Sequence, residues 1–218
     1  LVSERMPACN LIDILTDTEH WLNWTAAFGP LSGFEARLVT PQQRYVTTTF
    51  CYGCYLGPTQ TARSLQGLDR FQVAYVNQHH ITEQKLLDAN VGVINRYNRF
   101  MLPKLWGSGQ RAVADGTKWD VYEQNLLSEY HIRYGGWGGI GYYHVSDTYI
   151  ALFSSFIACG VWEAIHILDG LQENRSEIRP DTLHADTQGQ SETVFGLAYL
   201  LAIQLMPRIR NWKHLAFY

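Results

Sequence analysis

The second half of this sequence predicts an α/β domain with the element order β-β-β-α-β-α-β, and the first half predicts a mainly helical region. Three observations carry that prediction. Residues 112–119, 140–145 and 149–156 are short runs rich in β-branched and aromatic residues, with turn signals between them. Two further short runs, 182–186 and 205–209, each follow a segment with helical apolar spacing. Before residue 105 the apolar positions fall in longer stretches with helix-start signals.

In the first region, residues 17–28 predict a helix with a buried aromatic face. Residues 44–52 (RYVTTTFCY) have strong strand propensity and predict a strand or an extended buried segment. Gly57-Pro58-Thr59 marks a helix start, with Pro58 near the first helical position. Leu65, Leu68, Val73 and Val76 fit helical spacing loosely. Thr82 is placed to cap a helix running to about Phe100, with Glu83 favourable in its first turn. Leu86, Leu87, Val91, Ile94 and Tyr97 form its apolar face, and Pro103 and Gly107 end it.

In the second region, the first strand is 112–119, followed by a polar and Gly-rich stretch through Gly135–Gly139. A hairpin pairs 140–145 with 149–156 across Ser146-Asp147-Thr148. Gly160 opens a helix carrying Val161, Ile165, Leu168 and Leu171 on one face, and Pro180 breaks it. A short strand at 182–186, a helix capped by Ser191 over 192–203, and a last strand at 205–209 complete the order. Three antiparallel strands followed by helix–strand crossovers is the order of an RNase H-like fold. Right-handed crossovers place the 182–186 strand beside the first strand. The expected domains are a helical region at 1–108 and an RNase H-like domain at 109–218.

The 46% hydrophobic and 17% charged fractions exclude a disordered chain. The net charge of −3 argues mildly against a stand-alone DNA-binding domain, since phosphate neutralisation supplies most of such affinity. An acidic metal site, or basic regions outside this sequence, offsets that objection. Four irregularly spaced cysteines do not make a disulfide scaffold and point to a reducing cytoplasm. No signal peptide is visible, and the longest apolar run is too short to span a bilayer, so no membrane partner is expected. The sequence starts without Met and ends on an apolar Phe217-Tyr218, so both ends are expected to continue in a longer protein.

Phosphoryl transfer with two Mg²⁺ ions needs carboxylates converging on both ions. Asp115 lies within the first strand (AVADGTKW), and Asp186 ends the fourth (TLHAD). Paired strands sit about 4.8 Å apart, so both carboxylates reach the same ions if these strands are neighbours. Each aspartate alone also fits a turn or a helix cap. Glu163 begins the helix after the third strand, where RNase H-type nucleases carry a catalytic glutamate, against the commoner role of a solvated first-turn glutamate. Asp147 fits a turn and Glu192 a helix N-terminus.

Arg208, Arg210 and Lys213 follow the last strand and are candidate phosphate contacts, or a solvated basic loop. Arg63 and Arg133 are weaker candidates. Trp137 is a candidate for base stacking, against the commoner role of packing in a core. Cys51-x-x-Cys54 lacks a second spaced pair, which favours buried thiols over zinc even with His79 and His80 nearby.

Long strings of this chain resemble the catalytic domain of Tn-three family transposases. They are NLLSEYHIRY (125–134), the run 135–139, YYHVSDTYIA (142–151), CGVWE (159–163), HADTQGQS (184–191) and LMPRIRNW (205–212). Upstream, TFCYGCYLGPTQTAR (49–63) and LPKLWGSG (102–109) extend the likeness over essentially the whole chain. The resemblance implies a bacterial, replicative, cointegrate-forming DDE transposase with an Asp-Asp-Glu triad and Mg²⁺, for which Mn²⁺ substitutes. Its first aspartate matches Asp115 and its second Asp186; Glu163, a candidate metal ligand by its place after the third strand, matches neither. Its glutamate is expected downstream of Tyr218, which would leave this chain alone inactive. The implied partners are transposon ends and target DNA, with a homodimer in the intact protein.

Two other readings remain at this point. One is a stand-alone RNase H-like nuclease using Asp115, Glu163 and Asp186. The other is an inactive remnant that folds but does not cut.

Overall fold

The structure is a computed structural model that describes residues 5, 7–33, 38–65, 67–121, 123, 125–132 and 135–214, without the His214 side chain. The chain divides into two compact units, Leu1–Val93 and Ile94–Tyr218. No helix among the described residues is long and apolar enough to cross a membrane.

The first unit is helical. Helices α1 (Leu11–Leu22), α2 (Pro41–Gly53), α3 (Gly57–Ser64), α4 (Arg70–His80) and the start of α5 (Glu83–Tyr97) follow in order, with a 3-10 turn at Trp24–Ala27. Helix α1 starts earlier than expected and stops at Asn23, which adopts a left-handed φ of 50°. Phe28 lies beyond both, packing edge-on against Trp24 and Tyr45. These rings, with Val46, Val76 and Ala89, form the core of this unit. Helix α4 is set by a reciprocal cap: Gln72 N–H donates to Asp69 at 2.8 Å, and the Gln72 side chain accepts from Asp69 N–H at 3.2 Å.

The expected strand at 44–52 is helix α2. Pro41 opens it, where its missing N–H costs nothing. β-branched residues lose only a few tenths of a kcal/mol each in a helix. Helical spacing buries Tyr45, Val46, Thr48 and Cys51 together, and burial outweighs that propensity.

The second unit holds the end of α5, then α6 (Met101–Trp106), β1 (Arg111–Asp120), β2 (Glu129–His131), β3 (Gly136–Ser146), β4 (Ala151–Ala158), α7 (His166–Glu173), β5 (Thr182–Ala185), α8 (Glu192–Leu200) and β6 (Gln204–Pro207). Helix α5 stops at Tyr97. Pro103 does not end it but sits in the first turn of α6, which closes with Gly107 N–H donating to Pro103 O. Strand β1 pairs antiparallel with β3 and parallel with β5. Beyond them, β4 and β2 pair antiparallel with β3, and β6 pairs parallel with β5. The expected neighbour relation of the first and fourth long strands is therefore present, in an RNase H-like mixed sheet.

Part of the expected Gly-rich connection belongs to the sheet instead. Strand β3 begins at Gly136, and its glycines make room for rings lying across them. A Cβ at Gly141 would stand 2.6 Å from Trp119 Nε1, and one at Gly139 would overlap the Phe156 ring.

Alternation along β1 buries Ala112 and Ala114 and exposes Val113, Asp115 and Thr117. On the buried face, Ala112, Ala114, Ile140, Tyr142 and Leu183 pack against Ile167 and Leu168 of α7 and Val194 and Ala198 of α8. Helix α7 follows a 3-10 turn at Glu163–Ile165, rather than opening at Gly160. It seats over His144, whose Nε2–H donates to Ile167 O at 2.7 Å.

Gly170 lies where a Cβ would overlap the His144 ring, which explains a glycine inside a helix. Gly170→Ala gains about 1 kcal/mol of helix propensity but forces the ring aside. A net loss of about 1–3 kcal/mol in chemical denaturation is expected.

Burial holds the His144 imidazole below its ordinary pKa, offset in part by the Ile167 bond and the Asp169 carboxylate. A depressed folded-state pKa gives stability that is complete above the unfolded value, about 6.5, and lost as pH falls through the folded value. The melting temperature is therefore expected to drop between about pH 7.5 and about pH 5, less so in His144→Gln, as read by circular dichroism.

Candidate active site

The register of the parallel pair sets the geometry of the acids. Ala114 pairs with Ala185, so Asp115 and Asp186 occupy the next step along adjacent strands. Val113 pairs with His184, and alternation puts Asp115 on Val113's exposed face. Asp186 continues directly from β5 in extended conformation (φ −72°, ψ −170°) as the cap of the 3-10 turn that follows. Both aspartates are exposed.

Local hydrogen bonds fix each carboxylate. Asp115 Oδ1 accepts from Gly116 N–H at 2.9 Å. Asp186 caps the 3-10 turn Thr187–Gly189, its Oδ1 accepting from Gln188 N–H at 2.9 Å. Exposed carboxylate oxygens on neighbouring strands are the hard donors that Mg²⁺ or Mn²⁺ takes. No group of three or more His, Cys, Asp or Glu side chains gathers as a metal cage among the described residues. The pair fits as part of a ligand set.

Glu163 approaches β1 at Gly116, the residue after Asp115. A Cβ at Gly116 would stand 2.6 Å from its Oε2 and 2.7 Å from Ile140 Cγ2, which places Glu163 on the face that α7 covers. Its Oε1 accepts from Gln188 Nε2 at 3.3 Å. Tyr142 feels all three acids: burial, then the charges of Glu163, Asp186 and Asp115, raise its pKa far above the usual phenol value. The phenol therefore stays neutral and adds no charge to the acids.

Asp147 is a turn residue with an anchoring task. Its carboxylate accepts from Gly109 N–H at 2.8 Å and Ser108 N–H at 3.0 Å, tying the β3–β4 turn to the segment before β1. Glu192 occupies the first turn of α8. Arg208, Arg210 and Lys213 are exposed. Arg208 N–H donates to Ala185 O at 2.8 Å, and Arg210 N–H to Gln190 Oε1 at 2.9 Å, which brings this basic segment beside the end of β5. Trp137 is part-exposed on β3 and packs edge-on against Tyr130.

Arg63 is exposed in the last turn of α3, in the first unit. Arg133 falls outside the described residues. Cys51 is buried within α2, and Cys54 ends that helix as a free thiol. Sequence reasoning missed Gln188 and Tyr142. The signal for Gln188 was its place two residues after Asp186, where a backbone N–H meets a capping carboxylate.

The family model for the Tn3 transposase DDE domain matches residues 13–218. The chain belongs to that family. It is 26% identical over 209 residues to the transposase for transposon Tn1546 of Enterococcus faecium, covering 95% of this chain and 21% of that protein. It is 25% identical over 220 residues to the transposase for transposon gamma-delta of Escherichia coli (strain K12), covering 100% of this chain and 22% of that protein. This Tn3-family chain thus spans about a fifth of the length of the curated relatives it matches. Among solved structures, a piggyBac transposase synaptic complex with hairpin DNA overlays with a TM-score of 0.42 at 12% identity, over 93% of this chain and 49% of that one. That likeness is too loose to carry an argument, and the fold rests on the strand order and register above.

Proposed function

We propose that this chain is the catalytic core of a DDE-type DNA transposase, with Asp115 and Asp186 as ligands for Mg²⁺ or, in its place, Mn²⁺. The observation that supports the reading is the β1–β5 register, which ends at Ala114 and Ala185 and so leaves two exposed aspartates at the next step along adjacent strands. Family membership agrees with it. The reaction assigned to the protein is hydrolysis at the 3′ end of the transposon, followed by in-line attack of the freed 3′-hydroxyl on a target phosphodiester in replicative transposition. Residues 109–218 form the catalytic domain in this reading, and residues 1–108 the helical region before it.

A bound Mg²⁺ supplies Lewis-acid polarisation of a phosphoryl oxygen and a water of lowered pKa. The chain's own task is placement. Asp115 stands within β1 and Asp186 directly follows its neighbour β5, so two paired strands position both carboxylates. Arg208, Arg210 and Lys213 contact phosphates of the DNA path alongside. Alignment of nucleophile and phosphate then lowers the barrier by removing orientational entropy. The activity belongs to a protein of the relatives' length, acting as a homodimer on transposon ends and target DNA in the bacterial cytoplasm, at the nucleoid. A glutamate from elsewhere in that protein completes the ligand set.

The test uses a transposase of the relatives' length carrying this chain, a labelled transposon-end oligonucleotide and a plasmid target. Strand transfer is expected with Mg²⁺ or Mn²⁺ and none with EDTA. Strand transfer undiminished in EDTA would sink the reading.

A further inference from the structure

We infer that Glu163 is a positioning residue: it fixes Gln188, and through it the Asp186 carboxylate. This rests on the reading that Asp186 binds the metal. Gln188 is held at both ends. Its side-chain Nε2 donates to Glu163 Oε1 at 3.3 Å, and its backbone N–H donates to Asp186 Oδ1 at 2.9 Å. The line from Glu163 to Asp186 therefore runs through one residue.

The surroundings are built for this contact. Gly116 has no positive φ, so its backbone does not call for glycine; what it supplies is space for the Glu163 carboxylate against β1. The 3-10 turn carrying Gln188 is pressed on the core at Gly189, where a Cβ would stand 3.0 Å from Pro207 and 3.1 Å from Ala185. A turn clamped on one side and tethered on the other leaves its capping aspartate little freedom.

Glu163 is not a ligand in this arrangement. Its carboxylate meets β1 at Gly116 on the face that α7 covers, whereas Asp115 lies on the opposite one, and Gln188 stands between Glu163 and Asp186. A half-buried carboxylate needs compensating donors, and the Gln188 amide supplies one. Outer-sphere partners of this kind change metal affinity by about 10–100-fold.

The test is Mn²⁺ binding, followed by electron paramagnetic resonance, in a transposase of the relatives' length carrying this chain. Circular dichroism confirms the fold of each variant. Glu163→Ala is expected to weaken Mn²⁺ binding about tenfold. Glu163→Gln keeps an oxygen acceptor for Gln188 and is expected to stay within about twofold of the parent. Gln188→Ala should match Glu163→Ala, and the double variant should be no worse than either single one. A loss in Glu163→Gln as large as that in Asp186→Asn would make Glu163 a ligand and overturn the inference. Unchanged affinity in Glu163→Ala, with a loss in Asp186→Asn, would overturn it while leaving the metal reading intact. Unchanged affinity in Asp186→Asn would overturn both.

Discussion

Asp115→Asn is expected to lower strand transfer by about a thousandfold or more, equivalent to roughly 4 kcal/mol of barrier, while binding to transposon ends is retained. The substitution keeps the volume and one oxygen, so β1 keeps its register and its alternation. What it removes is a formal charge at the point where Asp115 and Asp186 stand on neighbouring strands. An amide oxygen is a poor substitute for an anionic ligand to Mg²⁺. Asp186→Asn should have a similar effect, and the double variant should be no worse than either, because ligands of one ion act as a unit. Both variants should melt within about 2 °C of the parent, since these carboxylates are exposed and their exchange lies outside the core. Gel-resolved transfer products and a melting curve separate chemistry from folding. Transfer at parental rates in Asp115→Asn would remove this residue from the site.

The second large effect lies in the scaffold. Leu183 is wholly buried and pairs with Ala112 of β1 on one side and Leu205 of β6 on the other. Leu183→Ala opens a cavity between Ala112, Leu205 and the helices that cover the sheet. A loss of about 3 kcal/mol is expected, within the usual range for buried Leu→Ala. It should appear as a lower urea midpoint at unchanged slope. The cavity lies three residues from Asp186, so strand transfer is expected to lose temperature range before it loses rate at about 20 °C.

The sheet was legible because its strands are short runs rich in β-branched and aromatic residues with turn signals between them. The neighbour relation of β1 and β5 followed from strand order, since a right-handed crossover leaves little choice about the neighbour of β1. The 44–52 segment was not legible: its β-branched residues carry strand propensity, and only burial across helical spacing decides the matter. Gly135–Gly139 also misled, because a glycine that seats an aromatic ring looks in sequence like a glycine in a turn. Glu163 was found as a candidate, but its face was hidden. Which side of β1 it meets depends on the 3-10 turn before α7, and nothing in CGVWE states that turn.

The most direct test of the shared aspartate site is localised backbone cleavage by bound iron. Fe²⁺ replaces Mg²⁺ in oxygen-ligand sites, and with peroxide it cuts the chain next to its ligands. Two cuts are expected, one near residue 115 and one near residue 186, both suppressed by excess Mg²⁺ and both lost in Asp115→Asn. Cleavage near residue 186 that survives Asp115→Asn, or cleavage at neither position, would contradict a single metal site formed by the two strands.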